Sequence, residues 1–182
     1  MQSFLTETIQ RLHQGPHPLS EYTIILPSKR AGGFLNQLLV AQADQPFFSP
    51  KIYSIEDFVA EVSGVSVMPQ TDVLLAGFSN YQSIQKTSFT DYLQWAETML
   101  GDFNELDRHL VAPEAFFDYL SQIKALDRWN LEESATPLMT DYLKFWETLL
   151  PFYTQFKEAL LAQGQAYQGL VYRRAAEAVS YT

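Results

Sequence analysis

Residues 21–39 read EYTIILPSKRAGGFLNQLL, and this stretch sets the fold class of the chain. Residues 22–26 are a short apolar run rich in β-branched side chains and closed by a proline, which predicts a strand buried on both faces of a sheet. After a turn at residues 28–30, apolar side chains recur at helical spacing over residues 31–39, which predicts a helix. The stretch is therefore a strand, a turn and a helix, as in α/β sheets.

The turn carries two adjacent cations, Lys29 and Arg30, directly after the carboxyl end of the predicted strand. Open α/β sheets bind ligands at this edge, and the backbone N–H groups of a helix start favour phosphate. Ser28, Lys29 and Arg30 are therefore candidate phosphate contacts, and we expect Lys51 to lie nearby. The alternative is that the two cations are simply solvated side chains on a turn and bind no ligand. The sequence does not decide between these interpretations.

Charge is distributed unevenly along the chain, whose formal net charge is −9. Residues 1–53 carry four Lys/Arg against three Asp/Glu, a net of +1, whereas residues 54–182 carry eight against eighteen, a net of −10. An acidic body repels nucleic acid, so any phosphate contact must come from a local cationic spot. The turn with Lys29 and Arg30 is the best candidate for such a spot.

The composition, with 47% hydrophobic and 14% aromatic residues, is that of a globular protein. No apolar run approaches the roughly 20 residues that span a bilayer, and the first residues lack the order of a signal peptide. We therefore expect a soluble cytoplasmic protein without membrane contact. The absence of cysteine excludes disulfides and thiol catalysis, and the three histidines form no ligand-like pair. We expect neither a metal site nor a cofactor.

From about residue 69 the sequence changes to long amphipathic helical patterns. Ser88 and Asp91 form a capping-box-like start to the clearest of these helices. Another helix is predicted to begin at Pro113. The long helix that follows should be kinked or split at Pro151, since proline removes a backbone donor from the helix interior.

The predicted organisation is a helix-rich α/β protein in three parts. Residues 1–66 hold one or two strands plus helices, residues 67–163 are all-helical, and residues 164–182 form a helix that returns towards the α/β part. One or two strands do not make a stable sheet. We therefore expect the missing strands to come from elsewhere in a longer chain or from a partner.

Motifs for catalysis are missing from the sequence. A phosphate-binding loop of the Walker type ends in Gly-Lys-Ser/Thr, which does not occur here, so we predict no ATP hydrolysis. Ser28 lacks the glycine context of a nucleophile elbow, and no Ser-His-Asp set can be assembled. Asp102, Glu105 and Asp107 are close enough in sequence to consider as metal ligands, but solvated carboxylates on a helix face are the favoured interpretation.

Aromatic residues of the helical part allow two interpretations. They could stack the bases of a single strand, but most fall on apolar helical stripes without interleaved cations, which favours core packing. The series consists of Tyr92, Trp95, Phe103, Phe116, Phe117, Trp129, Phe145 and Trp146. His13 and His109 are predicted to be surface residues.

Residues 24–32, IILPSKRAG, resemble the LPxRRA segment near the start of AddB-type subunits of bacterial helicase–nucleases. These subunits are inactivated superfamily I helicases followed by a PD-(D/E)xK nuclease, and the resemblance is in particular to their Bacteroidetes type. Residues 50–58 are similar to the next segment of that family. Residues 89–107 and 124–131 look like its helical insertion, and residues 164–173 resemble the stretch that leaves the insertion.

The resemblance implies an N-terminal fragment with a partial P-loop-helicase-like α/β domain and an all-helical insertion. Such a region would be non-catalytic, because the ATP-binding lysine has no counterpart and the nuclease domain of the family is absent from these residues. Its expected role in DNA double-strand-break repair is to hold DNA, an AddA-like helicase–nuclease partner subunit, or both. The expected phosphate contacts are Ser28, Lys29, Arg30 and Lys51.

Two further expectations follow from the acidic body of the chain. Binding of single-stranded DNA by the isolated chain should be weak, because residues 54–182 repel it. The alternative function is a helical protein-interaction domain without nucleic-acid contact, in which exposed apolar patches mark a partner surface.

Overall fold

The computed structural model describes residues 4–43, 45–129 and 137–180. Within these residues the chain forms eight α-helices, one 3₁₀ turn and two small two-stranded parallel sheets. Its internal contacts divide it into two units, Met1–Val62 and Ser63–Thr182. The prediction of a helix-rich α/β protein is therefore confirmed.

The first unit is built around a two-stranded parallel ladder. Its elements are α1 (Phe4–His13), a 3₁₀ turn (Leu19–Glu21), β1 (Thr23–Leu26), α2 (Lys29–Ala41), β2 (Lys51–Ser54) and α3 (Ile55–Ser63). Thr23 is the register partner of Lys51, and Leu26 is that of Ser54. Since parallel neighbours need a crossover, α2 returns the chain from the end of β1 towards the start of β2.

β1 packs against the core with only one of its faces. Ile24 and Leu26 join Ile52 in packing against the buried side chains of the α1 and α2 cluster, whereas Ile25 on the other face is 42% exposed. The prediction of a strand buried on both faces is therefore wrong. A continuous apolar run does not reveal how many of the two faces of a strand are covered.

The second unit is helical apart from one very small sheet. Its elements are β3 (Ser66–Val67), α4 (Gln70–Ile84), α5 (Phe89–Arg108), α6 (Pro113–Trp129), α7 (Pro137–Ala162), β4 (Gln165–Ala166) and α8 (Gln168–Ser180). β3 and β4 pair in parallel, and each follows a glycine with positive φ, Gly64 at 69° and Gly164 at 67°. Left-handed glycines commonly end helices, here α3 and α7.

Several helix boundaries agree with the sequence signals. Ser88 Oγ accepts the Asp91 backbone N–H at 3.1 Å and donates to Asp91 Oδ2 at 2.6 Å, so the predicted cap of α5 is confirmed. α7 continues through Pro151, so of the two predicted outcomes the split does not occur, and the kink stays a prediction. Pro151 is exposed, and water can therefore reach the carbonyl that its missing N–H leaves unpaired.

Two other predictions concern segments at the edges of the described residues. The sequence LDRWNL at residues 126–131 predicts a connector, but α6 runs on to Trp129, and residues 130–136 lie outside the described residues. α8 belongs to the second unit, where the Gly169 N–H donates to Asn104 Oδ1 of α5 at 2.7 Å. Its return towards the α/β part stays a prediction.

The cap of α5 gives a testable stability difference. Ser88→Ala is expected to lower the free energy of unfolding by about 1 kcal/mol, because the Asp91 N–H loses its acceptor. Thr90→Ala, a substitution in the exposed first turn of the same helix, is the matched control and should leave stability nearly unchanged or slightly raised. Urea denaturation followed by circular dichroism measures both, and equal losses would contradict the capping role.

Aromatic side chains fill the core of the second unit. Tyr92, Phe103, Phe152 and Phe156 are all nearly or completely buried, and the Phe103 and Phe152 rings lie 5.5 Å apart between centroids. Core packing is therefore confirmed for the buried members of the predicted aromatic series; the Trp129 side chain lies outside the described residues.

None of the described helices combines the length and the apolar character needed to cross a membrane.

Candidate phosphate-binding site

The carboxyl edge of the β1–β2 ladder brings together three of the four predicted phosphate contacts. Leu26 and Ser54 are register partners, so the two strands end side by side and α2 and α3 begin at the same edge. Ser28 is the N-cap of α2, and its Oγ accepts a backbone N–H of the first turn at 3.3 Å. Lys29 and Arg30 are the first two residues of that helix.

Lys51 lies at the opposite end of the ladder. It pairs with Thr23, three residues before the strands end, which corresponds to about 10 Å along a strand. The expectation that Lys51 lies near Lys29 and Arg30 is therefore wrong, because a strand that pairs in parallel with β1 begins at the amino edge. A contact between Lys51 and DNA at that edge stays a separate prediction.

Lys29 is paired with a carboxylate at the start of the neighbouring helix. Its Nζ lies 2.8 Å from Asp57 Oδ1, and the two side chains are 73% and 44% exposed. Ser54 donates its hydroxyl to the other carboxylate oxygen, Oδ2, at 2.8 Å and accepts the Asp57 N–H at 3.2 Å. Ser54 is itself buried, so it fixes the position of the carboxylate.

The ion pair keeps both of its members charged. The hydrogen bond from Lys29 to Asp57, together with the charge of that carboxylate, raises the pKa of Lys29. The same hydrogen bond, and the one from Ser54, hold the pKa of Asp57 below its ordinary value. At neutral pH the positive charge of Lys29 is therefore offset by a neighbouring negative charge.

Arg30 differs from its neighbour because no carboxylate pairs with it anywhere in the described part of the chain, and its side chain is exposed. The first turn of α2 contains no acidic residue, whereas the first turn of α3 contains Glu56 and Asp57. Cations at a helix N-terminus are unfavourable with the helix dipole, while anions there are favourable. The start of α2 is thus the point at this edge where an external anion is best accommodated.

A second cluster of ionisable groups lies buried in the helical unit around Asp107, which is 0% exposed. Its carboxylate accepts hydrogen bonds from the Tyr153 hydroxyl at 2.5 Å, from the Tyr167 hydroxyl, and from Arg173 Nε at 2.5 Å. Burial and the carboxylate raise the pKa of both tyrosines far above the ordinary value, so both keep the protons that they donate. The interpretation of Asp107 as a solvated carboxylate is therefore wrong.

The guanidinium of Arg173 is paired on its other side as well. Its Nη2 donates to the backbone carbonyls of Leu106 at 3.1 Å and Val111 at 2.6 Å. These carbonyls lie at and just beyond the end of α5, so the cluster joins α5, α7 and α8 and also fixes the chain that leads into α6. Because the charged groups of this cluster are already bonded to one another, its role is structural.

The remaining candidate metal ligands are exposed. Glu105 lies 3.7 Å from Arg108 and 3.2 Å from His109, while Asp102 is on the helix surface. Among the described residues, no group of three or more His, Cys, Asp or Glu side chains is placed to hold a metal ion. His13 and His109 are exposed, as predicted.

No protein-family model, curated protein or solved structure matches this chain. The resemblance to AddB-type subunits therefore rests on the sequence segments given above.

Proposed function

We propose that this chain is a non-catalytic, P-loop-helicase-like region with a helical insertion, from an AddB-type helicase–nuclease subunit. Its role is to hold single-stranded DNA or the partner helicase subunit during DNA double-strand-break repair. The observation that supports the DNA contact is the placement of Arg30, which is exposed and has no carboxylate partner among the described residues, at the carboxyl edge of a parallel ladder beside the N-cap Ser28. The sequence resemblance supports the family.

Arginine suits this contact for chemical reasons. Its planar guanidinium presents several N–H donors in a fixed fork, which matches two oxygens of one phosphate. Contacts of this kind position the nucleic acid and carry no sequence information. The proposed function is therefore binding of the DNA backbone without base specificity.

The acidic surroundings limit the affinity. Lys29 and Arg30 at this edge are balanced by Glu56 and Asp57, and the whole chain carries a net charge of −9. Long-range repulsion is screened by salt, whereas a direct phosphate contact releases counterions and weakens as salt rises. The contact should therefore be recognised by its salt dependence rather than by high affinity.

Replacement of Arg30 tests the proposed contact. In the full chain, Arg30→Ala is expected to weaken binding of fluorescein-labelled oligothymidylate about three- to tenfold at low salt and to reduce the log–log salt slope by about 0.7, the value for one phosphate contact on a single strand. Fluorescence anisotropy over a salt series measures both quantities.

Lys86→Ala is the charge-matched control, because it removes one exposed cation that belongs to the helical unit and is not a candidate phosphate contact. It should leave the salt slope unchanged and weaken binding less than Arg30→Ala does. If the two variants behave alike, or if Arg30→Ala binds like the parent chain, DNA is not held at the carboxyl edge.

A second candidate function is a protein-interaction domain without nucleic-acid contact. It is favoured by the apolar side chains of Phe34 and Val40 on α2, which are 57% and 69% exposed. Co-purification with an AddA-like subunit after nuclease treatment tests it. Loss of co-purification in Phe34→Ser, with retention in Arg30→Ala, would support this candidate over DNA binding.

A further inference from the structure

We infer that the Asp57 carboxylate competes with DNA phosphate for Lys29. The carboxylate holds the Lys29 ammonium group in an ion pair, and DNA gains a second phosphate contact only when Lys29 leaves Asp57. This inference rests on the proposed function, since it describes how that same edge is regulated. It divides the two adjacent cations into one that is available, Arg30, and one that is withheld, Lys29. The sequence alone treats the two as equivalent.

The geometry of the pair supports the competition. The 2.8 Å distance between Lys29 Nζ and Asp57 Oδ1 is that of a charge-assisted hydrogen bond, the same bond that an ammonium group makes to a phosphate oxygen. A phosphate that approaches the start of α2 therefore finds Lys29 already bonded to the Asp57 carboxylate, which is negatively charged like the phosphate itself. The two anions cannot share that ammonium group without repelling each other.

The carboxylate is held in place from behind. Asp57 Oδ2 and the Asp57 backbone N–H are both hydrogen-bonded to Ser54 Oγ. Ser54 is the last residue of β2 and is buried. Lys29, in contrast, is 73% exposed on a flexible stem, so it is the member that can move. Exposed ion pairs contribute little net stability. Exchange of Asp57 for a phosphate oxygen is therefore accessible to Lys29 without unfolding either helix.

Asp57→Asn tests the inference. The amide keeps an oxygen that can accept the Ser54 hydroxyl but removes the charge that holds Lys29. Binding of fluorescein-labelled oligothymidylate to the full chain is expected to tighten about three- to tenfold at low salt, with a salt slope steeper by about 0.7, because Lys29 becomes a phosphate contact. Circular dichroism of the variant checks that it is folded.

Two further variants separate this effect from a general loss of negative charge. Glu61→Gln removes one exposed carboxylate from the same helix, where it accepts the Tyr53 hydroxyl, and should leave the salt slope unchanged. Adding Lys29→Ala to Asp57→Asn should remove the whole gain in affinity, whereas Lys29→Ala alone should cost less than about twofold. The last measurement needs no change at Asp57 and is unaffected if Asp57→Asn misfolds.

The outcomes distinguish failure of this inference from failure of the proposed function. If Arg30→Ala weakens binding but Asp57→Asn does not strengthen it, or if the gain survives Lys29→Ala, the competition is wrong and the phosphate contact stands. If Lys29→Ala alone costs as much as Arg30→Ala, Lys29 is not withheld. If neither the parent chain nor Asp57→Asn binds oligothymidylate, both the proposed DNA contact and this inference are overturned.

Discussion

Arg173→Met should lower the free energy of unfolding of the helical unit by about 3–5 kcal/mol, because it leaves the Asp107 carboxylate buried without its cation. Asp107 is completely buried, and Arg173 is the guanidinium in contact with it. The substitution also leaves the carbonyls of Leu106 and Val111 without the donor that they share. Methionine is of similar length, so the loss reports polar pairing more than packing.

Arg174→Met provides a matched control at the adjacent position. Arg174 is 45% exposed and pairs at 3.6 Å with Glu177 on the same helix. Its replacement should change stability by less than about 0.5 kcal/mol, as expected for a surface substitution. Urea denaturation followed by circular dichroism measures both variants. Similar losses in the two would show that the buried cluster does not stabilise the fold.

Gly169→Ala is the second substitution with a large expected effect. A Cβ at Gly169 would overlap the backbone carbonyl of Asn104, so α8 could no longer approach α5 as it does. The hydrogen bond from the Gly169 N–H to Asn104 Oδ1 would be strained by the same displacement. We expect a loss of about 1–3 kcal/mol, typical of overpacking at a close contact.

Gly101→Ala on α5 should have the opposite sign. A Cβ at Gly101 meets no atom within 4 Å, and alanine is favoured over glycine inside a helix by about 0.5–1 kcal/mol. The two glycine variants therefore shift the urea midpoint in opposite directions. If Gly169→Ala is no more destabilising than Gly101→Ala, the close approach of α8 to α5 is contradicted.

Local sequence signals were sufficient for the elements that they specify directly. The apolar run ending at Leu26 marks β1, and the serine and aspartate at 88 and 91 mark the start of α5. Both signals act between residues a few positions apart, and the structure keeps them. β3 and β4 have two residues each, too few for a periodic pattern, so only the tertiary pairing defines them.

Asp107 shows where a sequence signal was present but misinterpreted. Ala96, Leu100 and Phe103 are buried on one face of α5, and helical spacing places residue 107 on the same face. The apolar face of α5 therefore indicated that residue 107 is buried, whereas its charged side chain indicated exposure to solvent. The structure resolves this conflict by placing three donors around the carboxylate: Tyr153 of α7, Tyr167 just before α8, and Arg173 of α8. Because these donors are distant in the chain, local sequence does not predict them as partners.

The candidate site was predictable only in part. Ser28, Lys29 and Arg30 lie together because they are consecutive at the end of a strand. The pairing of Lys29 with Asp57 depends on the parallel register of β1 and β2, which also moves Lys51 to the far edge. Hydrophobic patterns identify strands, but they do not give this register without knowledge of the neighbouring strand.

A titration of the isotope-labelled chain with oligothymidylate, followed by the backbone amide resonances, tests most directly whether DNA phosphate binds at the start of α2. The account predicts that the resonances of Lys29, Arg30 and Ala31 shift first and furthest at low salt, and that added salt reverses the shifts. Shifts confined to the helical unit, Ser63–Thr182, or no shifts at all, would contradict it.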